Sequence, residues 1–170
     1  MRNLKTKLAV SFFMLMGALT TQAQEKASPA ATVQGKANGG KTAITVNYSS
    51  PAAKGREIWG ALVPYGKVWR AGANEATTFE TDQELTIEGQ KLPAGKYALF
   101  IIPNKNEATI IFNKVWKQWG AYDYDQSADA LRVNVKPVVA KQRSERLVYE
   151  FSADGLQLAW DNLILPIKIK

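Results

Sequence analysis

Two short stretches of this chain carry residues of the kind that recognise or transform a ligand. The first, Trp69-Arg70-Ala71-Gly72-Ala73-Asn74-Glu75-Ala76-Thr77, sets a guanidinium, an amide and a carboxylate around a glycine. Arg70 and Asn74 offer a fork of donors and an amide to a bound carboxylate or sugar hydroxyl, with Trp69 as a stacking wall. The same residues suit a structural use. Arg70 and Glu75 can pair across the turn, and Asn74 can cap local backbone groups. Gly72 supplies either a positive φ or a close backbone approach. Upstream, Arg56, Trp59, Tyr65 and Lys67 crowd into a span broken by Gly60, Pro64 and Gly66, which reads as a structured connection. Trp59 and Tyr65 join Trp69, Arg70, Asn74 and Glu75 as candidate ligand-binding residues.

The second stretch runs from Trp116 to Asp129. It interleaves Trp116, Trp119, Tyr122 and Tyr124 with Asp123, Asp125 and Asp129. Such a mixture suits a pyranose, whose C–H face stacks on an indole or phenol while its hydroxyls seek acceptors. Trp119, Tyr122 and Asp123 are the candidates here. The same side chains could instead cover the open end of the fold, since Trp and Tyr pack their bodies and wet their tips. Asp123-x-Asp125 with Asp129 invites a calcium reading but lacks the glycine and the terminal glutamate of an EF-hand loop. Glycoside hydrolysis needs two acids about 5–10 Å apart. Glu75, Glu80, Asp123 and Asp125 are available, and nothing singles out a pair.

The chain contains no Cys and no His. That removes every Ser-His-Asp or Cys-His nucleophile arrangement and every zinc or copper site built from those ligands. Acid–base chemistry would fall to Asp, Glu, Lys or Tyr. No catalytic residue, metal site or cofactor is assigned.

The first residues look like an export signal. Arg2, Lys5 and Lys7 precede an apolar run from Leu8 to Leu19, and Thr21-Gln22-Ala23 has the small-x-small form of a cleavage site before Gln24. The run is shorter than the roughly 20 residues that span a bilayer, so no transmembrane segment is expected after cleavage. Of 22 basic residues, 22 − 3 = 19 would remain against 15 acidic ones, a surplus of 4. A surplus that small does not indicate a nucleic-acid partner. The expected organisation is a signal peptide over 1–23, a flexible leader over 24–31 and one domain over 32–170, located in the periplasm or secreted.

The elements that must hold the two stretches are short strands. Ile44, Val46 and Tyr48 alternate with polar residues, as do Thr77, Phe79 and Thr81, Tyr97, Leu99 and Ile101, Leu131, Val133 and Val135, and Leu147, Tyr149 and Phe151. Ala108 to Phe112 is a compact apolar run, and Glu88-Gly89 marks a tight turn. Leu163, Leu165, Ile167 and Ile169 close the chain. About nine strands with turn signals every 8–12 residues predict an all-β fold, an antiparallel two-sheet β-sandwich with a jelly-roll arrangement as one option. Short helical turns are expected near Ile58–Val63 or Ser127–Leu131. Lys136 to Arg146 is locally basic and reads as a solvated connection between strands, with an anionic partner as the alternative.

The segments ITVNYSSPAAKGREIWG, GREIWGALVPYGKVWRAGANEATTF and LPAGKYALFIIP resemble the DUF2911 family, a domain of unknown function in bacterial envelope and secreted proteins. The resemblance is specific over Ser28 to Pro137 and looser beyond. It implies export and marks the Trp69–Thr77 motif, without assigning an activity. Three readings follow. The favoured one is a non-catalytic exported module that binds a small polar ligand, a glycan or an envelope protein. The alternatives are a carboxylate-dependent enzyme acting on a saccharide and a purely structural envelope protein. In the structural case the Trp69, Trp116 and Trp119 indoles are all buried.

Overall fold

The computed structural model describes residues 27–170, so the expected signal peptide lies outside the described residues. Among the described residues there are ten strands: β1 Ala30–Ala37, β2 Thr42–Ser49, β3 Thr77–Thr81, β4 Leu85–Ile87, β5 Gln90–Leu92, β6 Gly95–Pro103, β7 Ala108–Asn113, β8 Asp129–Val135, β9 Val138–Ser152 and β10 Gly155–Lys168. Six of them form one antiparallel sheet in the order β1-β2-β3-β6-β7-β8. The β9–β10 hairpin and the β4–β5 hairpin form the other layer. They are stitched together where Ile87 bridges Ile169, with Thr86 and Lys170 exchanging both backbone hydrogen bonds at 2.8 and 2.9 Å. The fold is an all-β sandwich, as the alternation predicts.

Burial follows that alternation. In β2 the residues Ile44 and Val46 point into the sandwich between exposed or half-exposed partners. Phe79, Leu99, Ile101, Ile110 and Phe112 from the large sheet meet Leu85, Ile87, Leu147, Leu158, Leu165 and Ile167 from the other layer in one core. Each fully buried aliphatic or aromatic side chain in such a core contributes about 1.5–3 kcal/mol over an exposed one. Pro166 cannot donate to a ladder. It lies past Ile164, where pairing with β9 ends, and before Lys168, which accepts from Glu88 of the β4–β5 turn.

Three features depart from the sequence reading. β1 begins at Ala30, inside the expected leader, because Ala30 and Ala31 pair with Ser49 and Tyr48. Its alternating residues are Val, Thr and small side chains, too weak a pattern to announce a strand. The basic segment is not a connection: β9 runs from Val138, with Lys141 and Arg143 exposed and Arg146 half-buried, donating to the Ser50 carbonyl at 3.1 Å. Charge on such a strand discourages pairing with other chains. Arg143 is paired there with the buried Asp161, which sits at a bulge in β10 with φ 54°. Finally, β6 is buried on both faces over Tyr97–Ile101. Ala98, Phe100 and Ile111 point away from the sandwich and are covered by Ala76, Val68, Ala121 and Tyr124. The loop between β7 and β8 therefore lies over the outer face of the large sheet, and not over an open end. The single-turn helix expected near Ser127 is present over Gln126–Ala128, with the Asp125 side chain accepting from the Ser127 backbone N–H.

Candidate functional site

The Trp69–Thr77 motif is an excursion from one strand line. Trp69 and Ile101 exchange backbone hydrogen bonds at 2.8 and 2.9 Å, and Thr77 sits opposite Leu99. Between these two pairings one residue of β6, Phe100, is matched by seven on the other side, and the surplus is thrown out as a loop. The Thr77 backbone N–H closes its base on the Arg70 carbonyl at 3.2 Å. Gly72 serves close approach: a Cβ there would lie 2.8 Å from Thr77 Oγ1 and 3.1 Å from the Ser49 carbonyl. The positive φ values fall instead on Ala71 (53°) and Asn74 (59°), a conformation that costs ordinary residues of order 1–3 kcal/mol each. It persists because partners over-determine it. The Ala71 carbonyl accepts from Thr77 Oγ1 at 2.9 Å and from the Tyr149 hydroxyl at 2.8 Å. Asn74 Nδ2 donates to Ser49 Oγ at 3.2 Å and to the Ser28 carbonyl at 3.4 Å.

The far side of the excursion is zipped to the aromatic loop. Ala76 donates its N–H to the Gln118 carbonyl at 3.1 Å, and Gly120 donates to the Asn74 carbonyl at 3.1 Å. Glu75 and Trp119 form an antiparallel bridge between them. Arg70 and Glu75 do not pair. Among the described residues the Arg70 guanidinium meets the Asn74 carbonyl and the Tyr122 ring, and the Glu75 carboxylate has no hydrogen-bond or ion-pair partner. Both residues meet the aromatic loop at different points, Glu75 bridging Trp119 and Arg70 lying over Tyr122.

Three contiguous depressions meet at Glu75. One of about 550 Å³ is lined by Ser28, Ala30, Ser49, Asn74 and Trp119. A second, of about 350 Å³, lies between Thr78, Gln118 and the Trp116 and Trp119 indoles. A third, of about 220 Å³, runs along Asn47, Tyr48 and Thr78. Trp116 and Trp119 are 40% and 56% exposed, so two of the three indoles whose burial would make the face purely structural are open. Lys96 sits 4.6 Å from the Trp116 ring centroid and bridges Glu80 at 3.2 Å, which fixes the outer edge. Gln118 Oε1 is shut off from solvent without a donor.

The remaining candidates scatter. Trp59 is buried, with its N–H on the Trp160 carbonyl at 3.2 Å and its ring edge-on to both Trp69 and Trp160. Tyr65 packs over Gly60, whose φ is +94°. Trp69 is half-buried, stacked on Trp160 at 5.9 Å, and donates to the Gly72 carbonyl at 3.2 Å. Tyr122 is 78% exposed and touches Arg70. Asp123 is exposed and lies outside the groove. The three aspartates of the loop do not converge. Asp125 accepts from the Ser127 hydroxyl and backbone N–H, which hold its carboxyl below the ordinary value of 3.8. Asp129 is engaged by Tyr124, Arg132 and Asn113. Burial, with help from Asp129, pushes the Tyr124 hydroxyl well above its ordinary value. Among the described residues no group of three or more acidic ligands stands ready for a metal.

Trp116, Gln118 and Ser49 line the groove without having been singled out as ligand contacts. Trp116 was visible as part of the aromatic run. The other two depend on register, which places Ser49 at the end of β2 beneath Asn74.

The fold and this groove define a β-sandwich with an aromatic-walled surface cleft. The family described as "Protein of unknown function (DUF2911)" matches residues 28–169, and the chain belongs to it. Neither the comparison with curated proteins nor the one with solved structures gave a match.

Proposed function

We propose that this chain is an exported, non-catalytic module that binds a saccharide in the groove centred on Glu75. One observation carries the reading: two open indoles, Trp116 and Trp119, wall a cleft whose centre is an unpaired carboxylate. Exposed apolar surface ringed by polar groups is the usual mark of a binding site. The indoles stack on the C–H face of a pyranose. Glu75 accepts from its hydroxyls. The reading of export rests on the pattern of residues 1–23.

The acids argue for recognition over hydrolysis. Glu75, Glu80, Asp123 and Asp125 are all exposed. A general acid at neutral pH needs a carboxyl desolvated enough to keep its proton, and none of these four is placed that way.

The test is a glycan array followed by calorimetry on the purified chain. One saccharide class should bind, and Trp119→Ala and Glu75→Gln should each weaken it at least tenfold while leaving the melting temperature nearly unchanged. Binding that survives Trp119→Ala, or no binding by any neutral glycan, refutes the assignment.

A further inference from the structure

On the other side of the ridge formed by Ser28 and Asn74 lies a separate cleft of about 350 Å³, a size within the range of small-molecule sites. Arg56 and Arg70 both line it, together with the stacked rings of Trp69 and Trp160. Two cations on one cleft are ordinarily balanced by protein carboxylates. Among the described residues no Asp or Glu pairs with either guanidinium. Their protein contacts use only part of each fork. Arg56 gives Nε to the Ala53 carbonyl at 3.0 Å and Nη2 to the Ala52 carbonyl at 2.7 Å. Arg70 gives Nη1 to the Asn74 carbonyl at 2.8 Å. Arg56 Nη1 and Arg70 Nε and Nη2 keep their hydrogens for another acceptor.

An independent observation concerns Trp160. It is 1% exposed, and its indole N–H has no acceptor. The neighbouring indoles do not share that condition, since Trp59 and Trp69 each donate to a carbonyl at 3.2 Å. A buried donor without a partner is rare in native proteins and calls for an explanation. Here it belongs to a residue that lines the same cleft as the two unbalanced guanidiniums.

We propose that this cleft binds a small oxyanion, a carboxylate or phosphate group, between Arg56 and Arg70, with the Trp160 N–H as a further donor. Guanidinium forks match the planar, multidentate geometry of such groups. A neutral ligand would leave both charges uncompensated. The two sites share only the Ser28 and Asn74 ridge, and the arginines lie on this side and the open indoles on the other, so either assignment can fail without the other.

The test is an NMR titration of the purified chain labelled with ¹⁵N-tryptophan, in chloride-free buffer. The probes are sodium acetate, sodium glucuronate and inorganic phosphate, with methyl glucoside as the neutral control. The Trp160 indole resonance should shift saturably with at least one anion and not with the control, while the Trp59 resonance stays in place. Which anion saturates first separates the carboxylate from the phosphate source. Arg56→Gln and Arg70→Met should each weaken binding by roughly ten- to a hundredfold, the value of one charge-assisted hydrogen bond. Arg56 is exposed, so its variant keeps the fold if Arg70→Met does not, and the ligand-free indole spectrum reports folding in both. A Trp160 resonance indifferent to all three anions means that its N–H is held over a neighbouring ring, and it overturns the proposal. So does a shift that both arginine variants reproduce unchanged.

Discussion

The Arg70 guanidinium lies over the Tyr122 ring, 5.9 Å from its centroid, while its Nη1 closes onto the Asn74 carbonyl at 2.8 Å. That carbonyl also accepts the Gly120 N–H at 3.1 Å. One backbone oxygen therefore ties the excursion, the aromatic loop and the cationic side chain together. An exposed cation–π contact contributes only about 0.5–1 kcal/mol. Its consequence is positional: Tyr122, 78% exposed, holds the arginine plane without burying it. The groove around Glu75 and the cationic cleft share this hinge at Asn74.

Gly120 tests that linkage. Its φ is +67°, and a Cβ there would fall 3.1 Å from Arg70 Nη1 and 3.2 Å from both Arg70 Cζ and Tyr122 Cδ2. Gly120→Ala should cost the left-handed penalty of about 1–2 kcal/mol plus the displacement of Arg70. Gly89→Ala is the control, since Gly89 has φ +85° but nothing within 4 Å of the added carbon. Urea unfolding should show the larger loss at Gly120, and anion affinity should fall only there. Equal losses with unchanged affinity would mean Arg70 is not positioned by this contact.

The five tryptophans should divide sharply. Trp160, 1% exposed, stacked on Trp69 and edge-on to Trp59, should cost about 3–5 kcal/mol when cut to Ala. Trp119, 56% exposed, should cost no more than about 0.5 kcal/mol, because its backbone bridge to Glu75 survives the change. Chemical denaturation of both variants checks this. A large stability loss at Trp119 would return the aromatic loop to a structural role.

The strands were legible because hydrophobic alternation is local. Ile44-Thr45-Val46 or Leu131-Arg132-Val133 declares both the element and its buried face within five residues. The loop over the outer sheet face was not, because nothing near Trp116 records that Phe100 and Ile111 need a cover. The site was half legible for the same reason. Arg70, Asn74, Glu75 and Trp119 stood out by type. That Arg70 turns toward Tyr122 and Glu75 toward Trp119 depends on a seven-against-one mismatch between Trp69–Thr77 and β6, which is a tertiary fact. Trp160 carried only an alternation signal, and its missing acceptor shows only when the neighbours are placed.

Asn74 combines two roles that substitutions can separate. Its φ of 59° suits Asn and Gly, and its amide reaches Ser49 and Ser28. Asn74→Gly keeps the backbone and loses the amide. Asn74→Ala loses both, and should be less stable than Asn74→Gly by about 1 kcal/mol. Paired urea titrations decide it. If Ala is tolerated as well as Gly, the left-handed conformation is not required of this residue.

Alkaline pH should expose the role of Tyr149. Its hydroxyl is buried against the strained Ala71 carbonyl, and burial pushes its pKa well above the ordinary 10.0. The native state thus keeps a proton that the unfolded chain releases. Stability from this group is present below pH 10.0 and is progressively lost as pH rises above it. Tyr149→Phe removes that proton from both states. At pH 7 the variant should be less stable by about 1 kcal/mol, because Ala71 keeps the Thr77 bond but loses one donor. At pH 11 the gap should close or reverse, with the remaining tyrosines and lysines cancelling between the two proteins. Urea midpoints at both pH values measure it. A gap that is the same at pH 7 and pH 11 would show that the Tyr149 phenol ionises in the folded protein as readily as in the unfolded one, contrary to its burial under the excursion.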